Sequence, residues 1–295
     1  MLTATQPSIR HLRSLSAHGF HHVAYGLWGD PSALAPVTFC VHGLTRSGRD
    51  FDVLAERLAE DGGAVYCPDV VGRGRSDWLP SADAYGYPQY MTDMVMAIAR
   101  SGAEQVDWVG TSMGGLIGLM LAAQPKSPIR RLVINDVGPF VSASALRCLA
   151  DYVGKDPHFA DFEEAMAYIR AVHSPFGPLS DMEWRHLTEH SLRADPGGGY
   201  RLAYDPAIAA PLADPEKIED MVLWPLWDAI TCPVLLLRGA ESDLLTRETA
   251  LEMARRGPKA ELVEFDSVGH APALMNPDQV ETVRQWLQQD RGARA

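Results

Sequence analysis

A chain of 295 residues that is 46% hydrophobic and 22% charged holds enough apolar material for one large domain, or a domain with an insertion, which excludes a wholly disordered protein. Its formal net charge of −12 excludes a protein built mainly to grip phosphate backbones, a task that needs clustered Lys and Arg, so no nucleic-acid partner is expected. No stretch reaches the roughly 18–20 apolar residues of a membrane span, and residues 1–20 lack the apolar run of a signal peptide, so no membrane association and a cytoplasmic location are expected.

Along the chain, short apolar runs alternate with longer stretches of helical periodicity, the pattern of a parallel sheet covered by helices. Residues 36–41 read as a buried strand, 52–61 as a helix with Val53, Leu54 and Leu58 on one face, and 64–67 as the next strand. Residues 88–100 place Met91, Met94, Val95 and Ile98 on one helical face, and 105–109 return as a strand that ends in glycine. An apolar helix over 113–123 and a strand over 131–135 follow. Strands over 233–238 and 261–265 and a last helix over 277–289 complete the series. Between them, from residue 138 to 227, helix-like segments broken by Pro157, Pro175, Pro178, Pro196 and three glycines at 197–199 interrupt the alternation. About 90 residues is too long for a simple crossover. The expected division is therefore a core of residues 1–137 and 228–295 and a helical cap, or lid, of residues 138–227.

Gly110-Thr-Ser112-Met-Gly114 follows one of these strands and opens a helix. A G-x-S-x-G sequence in that context is a nucleophile elbow. The serine sits on a sharp turn where a side chain two positions away on either side would collide with its neighbours. The same turn places Ser112 at a helix amino end, where unpaired N–H groups favour developing negative charge. The Met113 N–H is one expected oxyanion donor. The Leu44 N–H, in the His42-Gly43-Leu44-Thr45 loop, is the other, with His42 bracing that loop rather than acting as base. Cys40, Cys67, Cys148 and Cys232 form no Cys-x-x-Cys pair and read as buried free thiols. Nothing matches metal-ligand spacing, so no metal is expected.

These segments, with Asp69-Val-Val-Gly72-Arg-Gly74-Arg-Ser76, Asp243 and Gly269-His270, resemble the α/β-hydrolase family over nearly the whole chain. The resemblance implies a three-layer α/β fold with a mostly parallel eight-stranded sheet, a helical cap inserted after the sixth strand, a triad in the chain order Ser, Asp, His, and no cofactor. His270 is the histidine that follows both serine and acid in that order. Asp243, in the loop after strand 233–238, is the expected acid; Asp136, at the end of the preceding strand, and Glu241 are rivals. Asp69, Arg73, Arg75 and Asp77 resemble a signature that buttresses the oxyanion loop.

The function expected is hydrolysis of a carboxylic ester or lactone of a small hydrophobic or aromatic molecule through an acyl-serine intermediate. The sequence leaves two alternatives open, a carbon–carbon bond hydrolase and a ligand receptor on the same fold. Carbon–carbon hydrolases of the family usually place tryptophan after the catalytic histidine, where this chain has Ala271-Pro272. Arg46 is a candidate for a substrate carboxylate, against pairing with Asp50, Asp52 or Asp69. Trp184, Trp224 and Trp227 are candidates for the pocket wall, together with Phe140, Phe159, Phe162, Phe176 and Tyr200.

Overall fold

A computed structural model of the protein describes residues 6–32 and 36–289; the outer ends of the expected core, residues 1–5 and 290–295, lie outside them. The central sheet is formed by β1 (Ser8–Ser16), β2 (Gly19–Trp28), β3 (Val37–Val41), β4 (Ala64–Pro68), β5 (Val106–Thr111), β6 (Ile129–Asn135), β7 (Val234–Gly239) and β8 (Glu261–Phe265). Their spatial order is β1-β2-β4-β3-β5-β6-β7-β8. β2 runs antiparallel to both its neighbours, and all other pairs are parallel. This is the expected eight-stranded, mostly parallel sheet.

The layers follow from the period of two along each strand. Phe39 and Val41 of β3, Trp108 of β5, Leu132 and Ile134 of β6 and Leu236 of β7 enter one apolar core. That core is shared with Met94 and Ala97 of helix α2 (Tyr87–Ser101) and Leu116 and Leu119 of α3 (Met113–Ala122). The intervening Cys40, Val109, Val133, Leu235 and Leu237 enter the other, against Leu54 and Leu58 of α1 (Asp52–Ala59) and Val283 and Leu287 of the last helix, α9 (Pro277–Gln288). Both faces being covered, β3, β4 and β7 are buried at every position and read as continuous apolar runs.

The hairpin β1–β2 has no counterpart among the expected elements. β1 lies at the sheet edge and buries only Leu12 and Ser14, so its sequence Ser-Ile-Arg-His-Leu-Arg-Ser-Leu-Ser carries little apolar signal. Helix α8 (Arg247–Met253) was likewise not expected; Thr246 caps it, and it buries Ala250 and Met253.

Between β6 and β7 the chain forms α4 (Ala143–Ala150), α5 (Phe162–Val172), α6 (Asp181–Glu189) and α7 (Trp224–Ala229), with two small antiparallel sheets. Ser142, Asp161 and Ser180 cap the first three of these helices, and Ser180 and Glu183 form a reciprocal capping box. Phe140–Val141 pairs with Met221–Val222, bringing the entry and exit of this insertion together. Helix α7 runs through the expected boundary at 227/228. Its Trp227 is fully buried and donates its indole N–H to the Arg256 carbonyl at 3.0 Å, so it packs α7 onto the core. No helix among the described residues is long and apolar enough to cross a membrane.

Trp227→Ala is expected to lower the unfolding free energy by about 3–5 kcal/mol, the cost of emptying a fully buried aromatic site. Urea denaturation of the variant beside the wild type measures it, and a loss under about 1 kcal/mol would show that the helix can dispense with this anchor.

Candidate functional site

Ser112 is the residue between β5 and α3, with φ 52° and ψ −116°, a strained conformation for a residue bearing a side chain. Its flanking glycines are required by contact. A Cβ on Gly110 would stand 2.2 Å from the Gly114 carbonyl oxygen, and one on Gly114 would stand 1.9 Å from that of Val41. The helix therefore starts hard against the ends of β3 and β5, and the serine side chain is the one that projects.

His270, in the loop after β8, places Nε2 3.0 Å from Ser112 Oγ and Nδ1 2.8 Å from Asp136 Oδ2. A carboxylate only accepts, so the proton of the ring sits on Nδ1 and leaves Nε2 free to take the serine proton. The acid partnered with His270 is thus Asp136, and the expectation of Asp243 is corrected. Asp136 is fully buried, at φ 57°, just past β6. Its Oδ1 accepts the Gly239 N–H at 2.8 Å and its Oδ2 the Ser242 hydroxyl at 2.6 Å. In the loop after β7 it is Ser242, one residue earlier, that turns inward; Asp243 is exposed at the cavity rim. β6 and β7 are adjacent and parallel, so both strand ends face His270, and spacing alone does not choose between them.

Other residues hold this arrangement. Asn135 donates to the Pro272 carbonyl at 2.8 Å and to Thr111 Oγ1 at 3.0 Å, tying the His270 loop to the elbow. Arg73, fully buried, donates from Nε to the Leu44 carbonyl at 2.8 Å and places Nη2 3.6 Å from Met113 Sδ. It links the two segments whose N–H groups were singled out as oxyanion donors. Asp69 accepts the N–H groups of Arg75, within its own loop, and of Gly48, and so ties that loop to the segment after β3. Asn135 and Ser242 carried no signal in the sequence, since each acts through a contact with a distant segment.

His42 braces its loop as expected. Its Nε2 accepts the Val70 N–H at 2.9 Å, which fixes the proton on Nδ1, 2.7 Å from the Gly43 carbonyl. Burial pushes its pKa down to about 4.

Two cavities open on Ser112, roofed by the insertion between β6 and β7. One, of about 170 Å³, lies over His270 and is lined by Arg46, Tyr152, His173, Phe176 and Asp243 among others. The second, of about 320 Å³, runs past Met113 between Tyr87, Leu116, Val141, Leu146, Ile208 and Met221. Leu44, Leu149 and Leu244 border both. Arg46 lines the first cavity, but its Nε and Nη2 form a two-pronged pair with Asp50 at 2.8 and 2.7 Å, and Nη1 donates to Ser191. The edge that was expected to meet a substrate carboxylate is occupied by Asp50. Trp184, Trp224 and Trp227 line neither cavity: Trp184 is buried within the insertion beside Arg170, Trp224 stacks under Arg256 at 4.7 Å, and Trp227 is core. Trp184 packs the insertion internally, and Trp224 and Trp227 pack α7 onto the core. Of the eight aromatics considered, Phe176 is the one that lines these cavities. Cys148, expected to be buried, is exposed on α4.

Among the described residues one group of metal-type donors comes together, Asp52, His186 and His190, within 4.8 Å of one another. Asp52 is gripped by Arg49 Nε at 2.8 and 2.9 Å, and His186 Nε2 is 2.9 Å from the Arg49 carbonyl. Burial and the Arg49 guanidinium push the His190 pKa down to about 2. Asp52 and His186 are committed to holding α6 against α1, the Arg49 guanidinium already occupies the Asp52 carboxylate, and the group does not fit a metal.

The sequence matches the model of the alpha/beta hydrolase family over residues 39–283. It is 46% identical to a 3-hydroxybutyrate-oligomer hydrolase of Cupriavidus necator, over 96% of this chain and 99% of that protein. It is 30% identical to the lipase LipV of Mycobacterium tuberculosis, over 86% of this chain and 93% of that one. The structure superposes on an alpha/beta hydrolase from Novosphingobium aromaticivorans with a TM-score of 0.84 at 35% identity, covering 97% of this chain and 99% of that one.

Two outcomes follow from this geometry. Asp136→Asn is expected to slow covalent labelling of Ser112 by a fluorophosphonate by about 10³-fold or more, while Asp243→Asn stays within about threefold; the reverse order would restore Asp243 as the acid. For His42, the folded pKa lies below the ordinary value of 6.5, at about 4, so its contribution to stability is complete above pH 6.5 and is lost as pH falls towards 4. That contribution is about 3 kcal/mol. Denaturation midpoints taken across this range should fall less steeply in His42→Gln than in the wild type, and parallel slopes would contradict the assignment.

Proposed function

The chain belongs to the α/β-hydrolase family, and from that membership we propose that it is a serine esterase that cleaves short oligoesters of small hydroxy acids, 3-hydroxybutyrate oligomers first among them. The observation that carries the reading is the unbroken run from Ser112 Oγ to His270 Nε2 at 3.0 Å and from His270 Nδ1 to Asp136 at 2.8 Å, at the junction of two cavities. A cut within a chain of ester-linked units leaves substrate on both sides of the scissile carbonyl, which suits a site with two arms. The similarity to the oligomer hydrolase spans both chains almost entirely and supports the same substrate class.

In the mechanism Ser112 attacks the ester carbonyl while His270 Nε2 takes its proton, and Asp136 stabilises the imidazolium that forms. The N–H groups of Leu44 and Met113 receive the oxyanion. Met113 is the first residue of α3, whose first-turn N–H groups have no acceptor within the helix, and Arg73 holds the Leu44 loop from its carbonyl side. His270 then returns the proton to the departing alkoxide, and water releases the acyl group by the same steps. No cofactor is needed. The part of the insertion that precedes α7 acts as the lid: α4 supplies Leu146 and Leu149 to the cavity walls, which keeps bulk water from the acyl-enzyme.

Ser112→Ala is expected to lower kcat by about 10⁵- to 10⁶-fold on both p-nitrophenyl butyrate and 3-hydroxybutyrate trimer, with the wild type turning over each. Wild-type activity in the variant would overturn the nucleophile. Turnover of p-nitrophenyl butyrate without the trimer would overturn the oligoester, and turnover of neither would point to carbon–carbon cleavage or a receptor.

A further inference from the structure

The two cavities face different halves of the reaction. His270 must hand its proton to the departing alkoxide, so the leaving group lies on the His270 side. The first cavity is bordered by His270, Ala271 and Pro272, whereas Met113, on the oxyanion side, borders the second.

One side chain in the first cavity has no part in the chemistry described so far. His173, in the turn after α5, is 9% exposed and lines this cavity. Among the described residues no hydrogen bond reaches its ring nitrogens, although its backbone is bonded in the ordinary way to Ile169 and Phe176. The ring packs on Phe176 with centroids 4.8 Å apart and planes 32° apart, so packing sets its orientation. Burial, with Arg46 and His270 nearby, holds its pKa well below the ordinary histidine value. The group is therefore a neutral imidazole with one donor and one acceptor, both without a protein partner. Buried polar groups in native structures are hydrogen-bonded as a rule, and one left open towards a binding cavity is available to a ligand.

We propose that His173 is a specificity residue that touches the substrate, donating its ring N–H to the carbonyl oxygen of the hydroxy-acid unit that leaves. A neutral donor suits an ester or acid carbonyl, and Asp243 on the same rim disfavours a leaving group chosen by negative charge alone. A simple alkyl alcohol offers His173 nothing and leaves the imidazole unsatisfied, and a site built to hydrogen-bond a substrate discriminates strongly against an analogue lacking the group. This inference rests on the oligoester reading above.

The test uses two esters with the same 3-hydroxybutyryl acyl group. In one the leaving alcohol is methyl 3-hydroxybutyrate; in the other it is 2-hexanol, of the same backbone length without the carbonyl. The wild type should prefer the first by about tenfold or more in kcat/KM. His173→Leu should lose that preference, falling about tenfold on the carbonyl ester, mostly through KM, while staying within about twofold on the hexyl ester. His173→Gln, which keeps a donor, should retain part of it. No preference in the wild type, or an equal fall on both esters in both variants, would overturn the proposal. A wild type that hydrolyses p-nitrophenyl butyrate but neither 3-hydroxybutyryl ester would overturn the oligoester reading, and this inference with it.

Discussion

Everything at the site depends on how closely α3 is allowed to approach the strand ends beneath it. The Gly114 position is so near the Val41 carbonyl, and Gly110 so near Gly114, that no other residue fits without moving the backbone. That contact forces the turn at Ser112 into positive φ, lifts its hydroxyl clear of the sheet and points the first N–H groups of the helix at the same spot. Trp108, buried below, donates its indole N–H to the Gly114 carbonyl at 3.0 Å, so the core of the sheet supports the turn directly. The strain is local, and the surrounding packing over-determines it.

Around that turn the charged and polar groups are held by partners rather than by solvent. Asp136 meets three donors, Arg73 spans the Leu44 and Met113 segments, and Asn135 fastens the loop that carries His270. Each is buried, where an unpaired polar group is costly, so the bonds they make fix one geometry. His42 and His173 are both kept neutral by burial. They differ in that the His42 ring is bonded to the Val70 N–H and the Gly43 carbonyl, whereas among the described residues no hydrogen bond reaches the His173 ring. That difference separates a brace from a group free to meet a substrate.

The insertion between β6 and β7 roofs the strand ends and gives the site two arms. Three of its helices, α4 to α6, are capped and its entry and exit are paired as a short ribbon. Arg46 spans the junction, bonded to Asp50 in the core and Ser191 in the insertion, so a cation that looked suited to a ligand instead joins two parts of the protein. Ion pairs of this kind, largely buried and bidentate, are stronger than exposed ones and are not readily surrendered to a substrate.

The sequence alone determined the fold class, the order of the sheet strands from β3 onward with most of the helices between them, and the serine and histidine that the structure brings together. Each of these rests on a local pattern: a period of two or 3.6, a G-x-S-x-G turn between strand and helix, a histidine in the loop after the last strand. The edge hairpin escaped because an exposed strand carries no continuous apolar run. Only the tertiary structure decided that Asp136 rather than Asp243 meets His270, that Arg46 is taken by Asp50, that the three tryptophans pack instead of binding, and that His173 faces the cavity. All four turn on which of several chemically equivalent side chains points inward at the meeting of segments far apart in the chain. A one-residue difference in a loop reverses that answer without altering any local pattern.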